Sequence, residues 1–228
     1  LVPMLEGSDG YGLTFGARIA YPKPLGTGSR LSFPMTLGGS KRIGVELDKT
    51  FSRGPFSRVE VVTGVQQRRN PAFDTDDNRF RVWGRAFRMM GPVRAGGTAG
   101  WQRVWFGGQE DEFTSAGLDV TLDTRQNPAL PRHAVLATAA TEVLFFQSVP
   151  MITRTRLEAT GYVGIVGQQV LVIHALREDA DQPLPPYLRS ILGGWWTLRG
   201  FETGFRSGDT LVSGSLEYRV PLVSPRRI

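Results

Sequence analysis

Leu13-Thr14-Phe15-Gly16-Ala17-Arg18-Ile19-Ala20-Tyr21 puts an apolar side chain at every odd position and a small or polar one at every even position. Successive side chains of an extended strand point to opposite faces, so this stretch is one strand with an apolar face and a polar face. The same period of two recurs along the chain. Leu31, Phe33, Met35 and Leu37 alternate with Ser32, Pro34, Thr36 and Gly38. Ile43, Val45, Leu47 and Phe51 oppose Gly44, Glu46, Asp48 and Thr50, with Lys49 as the exception near a strand end. Ala116, Leu118, Val120 and Leu122 alternate with Gly117, Asp119, Thr121 and Asp123, and Leu157, Ala159, Val163 and Ile165 with Arg156, Glu158, Thr160 and Gly164. Val212, Leu216, Tyr218, Val220 and Leu222 oppose Ser213, Ser215, Glu217, Arg219 and Pro221. Less regular segments near Val59–Gln67, Phe80–Met89, Val93–Phe106, Val135–Phe145 and Gln169–Arg177 bring the expectation to about eleven strands.

The remaining composition excludes several function classes. Of 228 residues, 27 are Lys or Arg and 21 Asp or Glu, a formal charge of +6. The arginines are spread along strands, which suits a wet lumen better than a nucleic-acid surface. The aromatic and basic stretch Phe80–Phe106 imitates such a surface, but it alternates like wall and lumen, so no nucleic acid is expected as a partner. Without cysteine there is no disulfide and no thiolate metal site. His133 and His174 have no carboxylates at metal-ligand spacing, and Asp74, Asp76, Asp77 and Asn78 lack the glycine and distal glutamate of a calcium loop, reading instead as a solvated loop. There is no nucleophile elbow or P-loop, and Gly26-Thr27-Gly28 lacks the third glycine of a dinucleotide site. The expectation is therefore no enzyme, no metal and no cofactor.

Leu1–Gly10 shows no signal-peptide pattern, and the most apolar stretch, Ala134–Phe146, is interrupted by Thr138, Thr141 and Glu142. If this chain crosses a membrane, strands must do it. Alternation is shared by soluble and membrane barrels. The membrane form is favoured by strands near the ~9–11 residues that cross a bilayer, by aromatic residues toward strand ends (Tyr21, Phe51, Phe106, Phe145, Phe146), and by Gly and Arg on the polar face. Short connections at Ser52–Pro55, Gly91–Pro92 and Val166–Gln168 contrast with longer ones at Asn70–Asn78, Gly107–Glu112 and residues 178–208, as periplasmic turns contrast with extracellular loops. A bacterial single-chain barrel normally has an even number of strands, and an open sheet would leave unpaired edge groups in lipid at several kcal/mol each, so the chain is expected to be part of a larger barrel. The fold expected is thus all-β, an antiparallel transmembrane β-barrel of which residues 1–228 form a single, partial domain.

Leu192-Gly193-Gly194-Trp195-Trp196-Thr197-Leu198-Arg199-Gly200-Phe201, with Gly208-Asp209 and Ser215–Leu222 after it, resembles the bacterial surface-antigen superfamily of outer-membrane β-barrels. That superfamily holds the BamA and TamA insertases and the two-partner-secretion transporters. Gly12–Gly28 resembles the family's second strand and following turn, and Leu122–Arg125 with Asn127-Pro128 and Pro131 the turn before its ninth. The resemblance implies strands two to twelve of a sixteen-strand barrel, with the first strand, the last four strands and the periplasmic POTRA repeats outside the sequence and Ser224–Ile228 in a periplasmic turn. It implies that Leu198, Arg199, Gly200 and Phe201 form the tip of a loop, 178–208, that folds into the lumen and meets an acidic group on the wall. Glu217, on the polar face of its strand, is the candidate partner, since a guanidinium in a partly dehydrated lumen favours a carboxylate. Read without the family, Arg199 would be solvated and Glu217 paired with a neighbouring strand. The implied work is to assist assembly or insertion of outer-membrane proteins. The alternatives are secretion of a partner polypeptide through the lumen and a barrel that anchors a fused domain. The implied place is the outer membrane of a Gram-negative-type bacterium. The implied partners are the lipid bilayer and lipopolysaccharide, unfolded outer-membrane proteins and periplasmic accessory proteins.

Overall fold

The computed structural model describes residues 1–147 and 149–221. A single twelve-stranded sheet carries almost all of them, with every strand antiparallel to its sequence neighbour. Its strands are β1 (Val2–Ser8), β2 (Gly12–Pro22), β3 (Ser29–Gly38), β4 (Ser40–Thr50), β5 (Arg58–Asn70), β6 (Thr75–Met90), β7 (Val93–Phe106), β8 (Gln109–Asp123), β9 (Ala134–Phe146), β10 (Ile152–Gly164), β11 (Val170–Ala180) and β14 (Leu211–Arg219). Between β11 and β14 the chain makes a 3-10 turn at Pro186–Leu188 and a small hairpin of β12 (Ser190–Leu192) and β13 (Arg206–Gly208). Among the described residues β1 and β14 are the two edges and do not meet, so the sheet is an open part of a barrel.

The face that each side chain takes separates a membrane barrel from a soluble one. On β2, Leu13, Phe15, Ile19 and Tyr21 are more than half exposed, while Thr14 on the opposite face is buried. Ile43, Val61, Val65, Leu118, Val120, Leu157, Val163, Ile173, Val212 and Leu216 repeat this exposure around the sheet. A continuous apolar surface facing outward with ion pairs packed inward is the arrangement that lipid requires and water would not tolerate. The inner face is polar through most of its height, as in the Arg18–Glu46, Arg85–Asp119 and Arg154–Glu142 pairs.

Several details depart from the sequence reading. Val2–Ser8 is a strand, paired with β2 from Val2 opposite Arg18 to Ser8 opposite Gly12, although it lacks clean alternation. The sheet therefore has twelve strands rather than eleven, the additional one preceding Gly12–Pro22, where the sequence reading places none. The supposed long connections at Asn70–Asn78 and Gly107–Glu112 shrink to residues 71–74 and 107–108, because β6 and β8 run on through the remainder. Asp77 is no loop residue: it faces inward, fully buried, between Arg68 at 3.3 Å and Arg79 at 2.6 Å. Loop asymmetry rests on the connection after β11 alone, and the opposite end carries the next longest, 124–133. Phe106 and Phe146 point inward, so only Tyr21, Phe51 and Phe145 of the five aromatic residues remain on the exposed face. Pro34 sits within β3, where the ladder to β4 is interrupted between Ser32–Glu46 and Met35–Ile43, since proline has no N–H to donate. Leu222 and Ser224–Ile228 lie outside the described residues.

Candidate functional site

The inner face turns apolar near the end at which β11 exits. Val104 on β7, Phe113 on β8, Leu144 on β9 and Ile152 on β10 are nearly inaccessible there and form one cluster. Such a patch on a polar wall needs a cover, and the chain supplies it from the connection between β11 and β14, where Leu184 and Tyr187 join the cluster and Leu188 packs against it. Polar contacts fix the same segment. The Tyr187 hydroxyl donates to Asp111 Oδ2 at 2.9 Å, and Arg79 Nη2 donates to the Tyr187 carbonyl at 2.7 Å while its guanidinium lies 5.6 Å from the Tyr187 ring. Arg79 is itself held by Asp77, so a fully buried carboxylate on the wall positions the cation that grips the loop. Burial, and then the Asp111 carboxylate, push the Tyr187 hydroxyl well above the usual tyrosine range, keeping its proton in place. At the far end of the connection Asp209 accepts from the Leu184 N–H at 2.9 Å, closing the base of the loop.

Beyond this collar the β12–β13 hairpin extends the loop toward its tip. Gly193, Gly194 and Gly200 have φ of 116°, 80° and 87°, a region open to glycine, and let the backbone fold back so that Gly194 N–H reaches the Phe201 carbonyl at 2.8 Å. Thr197 Oγ1 bonds both Gly193 N–H and Gly193 carbonyl, and Trp195 N–H donates to Asp9 in the β1–β2 turn at 2.7 Å. Arg199 emerges from this knot over the Trp195 ring, 4.7 Å from its centroid, and its Nη2 donates to Glu217 Oε1. Glu217 stands on the inner face of β14, opposite Val172, and its second oxygen accepts from Arg219 at 2.8 Å. The structure thus brings Arg199 and Glu217 together, with Gly200 at the reversal. Leu198 is half-buried and bridged to Gly194, whereas Phe201 is exposed and stacks on Phe205 at 4.6 Å between ring centroids.

Sequence reasoning missed the Tyr187 collar. Its signal is faint: inward positions near one end of β7–β10 hold Val104, Phe113, Leu144 and Ile152 on neighbouring strands, a local break in a mostly polar face that announces something packed on the inside.

Residues 26–227 match the family model for the Omp85 superfamily domain. Among solved structures, BamA from Haemophilus ducreyi lacking POTRA domains 1-3 superposes with a TM-score of 0.83 at 14% identity, over 99% of this chain and 53% of that one. The anion-selective porin from Comamonas acidovorans aligns with a TM-score of 0.44 at 11% identity, over 91% of this chain and 59% of that one. No curated protein matches the chain. The chain therefore spans about half of the BamA chain it superposes on. With an apolar face turned outward, ion pairs turned inward and a family model matched over residues 26–227, the chain belongs to the Omp85 superfamily of bacterial outer-membrane β-barrels.

Proposed function

We propose that this chain is the wall and lumenal loop of an outer-membrane insertase or translocase that assists the assembly or insertion of other outer-membrane proteins. The observation that carries this reading is the loop itself, gripped at its base by Tyr187, Asp111 and Arg79 and held at its tip by Arg199 on Glu217. A loop anchored at two heights ties the early strands β6 and β8 to the late strand β14 from inside. It can keep a wall in register while strand pairing with an incoming polypeptide changes around it. No bond is made or broken in this role; the work is to lower the barrier for strands to enter a bilayer, where unpaired backbone groups cost several kcal/mol each. The partners under this reading are unfolded outer-membrane proteins, bilayer lipid with lipopolysaccharide in the outer leaflet, and periplasmic accessory proteins. Leu198, Arg199, Gly200, Phe201 and Glu217 are its proposed functional residues.

The test is reconstitution of the full-length protein in phospholipid vesicles, followed by addition of a urea-denatured outer-membrane barrel protein. The folded fraction of the client should rise faster than in empty vesicles, and Arg199→Ala should slow that gain. Absence of any acceleration, alongside release of a passenger polypeptide across the vesicle membrane, would assign the chain to secretion instead.

A further inference from the structure

Arg81 faces the lumen from β6, where it lines a cavity of about 630 Å³ together with Arg68, Arg79 and Gln102 and with Glu142, Glu178, Asp179 and Asp209, carboxylates already paired with Arg154, Arg156, Arg177 and Arg189. Among the described residues it makes no ion pair: Arg79 is its inward neighbour on β6, Arg68 lines the same cavity, and Arg42 and Glu46 flank Gly44 two strands away in the same row. That carboxylate is already shared by Arg18 at 3.3 Å and Arg42 at 2.6 Å, and Asp77 is shared by Arg68 and Arg79. Five guanidinium groups therefore surround two carboxylates. The wall beside Arg81 is bare. Arg81 pairs with Gly64, Gly64 with Gly44, and Pro34 lies between Gly44 and Arg18, so no long side chain rises from the row joining the two arginines. The unused polar atoms here are donors. Arg18 Nε and Trp83 Nε1 are buried without an acceptor, and Trp83 stands two positions from Arg81 on the same face. Buried donors lacking acceptors, beside a guanidinium that none of the surrounding carboxylates pairs with, describe a stretch of β2–β6 short of free acceptor oxygens.

We infer that this bare, arginine-rimmed stretch of lumenal wall binds a multivalent oxyanion of the phosphate-ester or pyrophosphate class. Guanidinium forks match phosphate oxygens, and a dianion offsets the local excess that no side chain of β2–β6 neutralises. The site lies on the inner face of the sheet, beside the Tyr187 collar, and is distinct from the Arg199–Glu217 contact on β14.

The test uses the full-length protein in phosphatidylcholine vesicles, titrated calorimetrically with pyrophosphate at fixed ionic strength against chloride. Saturable pyrophosphate binding is expected, weakened about tenfold or more by Arg81→Met, the loss that follows from one charge-assisted contact. Arg81→Met should also raise the unfolding temperature when no anion is added, because it removes a like charge. Arg88→Gln, whose side chain instead grips the Gly54 carbonyl in the turn before β5, should bind as the parent does. Adding phosphatidic acid to the vesicles separates two sources of the same chemistry: displacement of pyrophosphate assigns the site to a lipid headgroup, and undisturbed binding to a soluble phosphate. Pyrophosphate heats no different from chloride, equal affinity in Arg81→Met, or binding of an acidic peptide in preference to phosphate would each overturn the inference.

Discussion

Replacing Tyr187 by Phe removes one hydroxyl and leaves the ring in the apolar cluster, which isolates the polar half of the loop's grip. The lost bond is the 2.9 Å donation to Asp111, and a hydrogen bond to a charged acceptor contributes about 1.5–3 kcal/mol. The Arg79 bond to the Tyr187 carbonyl survives, so the loop stays seated but opens more often. Since ~1.4 kcal/mol is a factor of ten in an opening equilibrium, transient opening should rise about tenfold or more. Tyr187→Ala also discards the ring that packs 5.9 Å from Phe106, a loss of about 3–5 kcal/mol and a hundredfold or greater increase. Trypsin reads the effect directly, because Arg189, Arg199 and Arg206 lie in the loop. Folded protein in detergent should be cleaved there faster in the order parent, Tyr187→Phe, Tyr187→Ala, with the barrel still running as folded on an unheated gel. Equal cleavage of parent and Tyr187→Ala would refute the collar as the loop's anchor.

Arg199→Ala should lower the temperature at which the barrel loses its folded gel mobility only modestly, through a stability loss of about 1 kcal/mol, since the contact is partly exposed and Arg219 still holds Glu217. Glu217→Ala should be the worse of the two, because it leaves Arg199 and Arg219 facing each other, and a larger effect of Arg199→Ala would contradict the shared carboxylate. The raised pKa of Tyr187 favours the protonated form in the folded state, so its stabilisation is complete below the usual tyrosine value of 10.0 and declines as pH rises beyond it. Trypsin-independent loop mobility, followed by a spin label in the loop, should accordingly be flat up to about pH 10 and rise above it, whereas Tyr187→Phe should show no such rise. Leu118→Arg, at a position 67% exposed on the outer face, should cost about 2–4 kcal/mol in urea titrations of folding into vesicles, and Leu118→Phe almost nothing.

Most of the wall is legible in the sequence because one physical rule, lipid outside and water or ion pairs inside, is enforced at every residue of a spanning strand. β2 displays it along its length, and β8 from Ala116 to Asp123. β1 hides because Met4 and Leu5 are both apolar and Pro3 intervenes, so neither face is marked. Asp74, Asp76, Asp77 and Asn78 resemble a loop because strand ends beyond the apolar band carry polar residues on both faces, and only pairing with Arg68 and Arg79 shows that Asp77 belongs to the wall. Leu198–Phe201 stood out through resemblance, whereas its approach to Glu217 depends on how far a long connection travels inside the barrel. The Tyr187 collar depends on contacts between residues as distant in sequence as Arg79 and Tyr187, and no local pattern encodes them.

The connection after β11 lies on the inner side of the sheet with its tip against β14. The chain contains no cysteine, so the pair Arg199→Cys with Glu217→Cys can be treated in whole cells with a short bifunctional thiol reagent and scored by gel mobility. Val172→Cys with Glu217→Cys, register neighbours across β11 and β14, serves as the positive control. Linkage of positions 199 and 217 as complete as in that control is the predicted result. Efficient linkage in the control with none between 199 and 217 would place the tip away from β14.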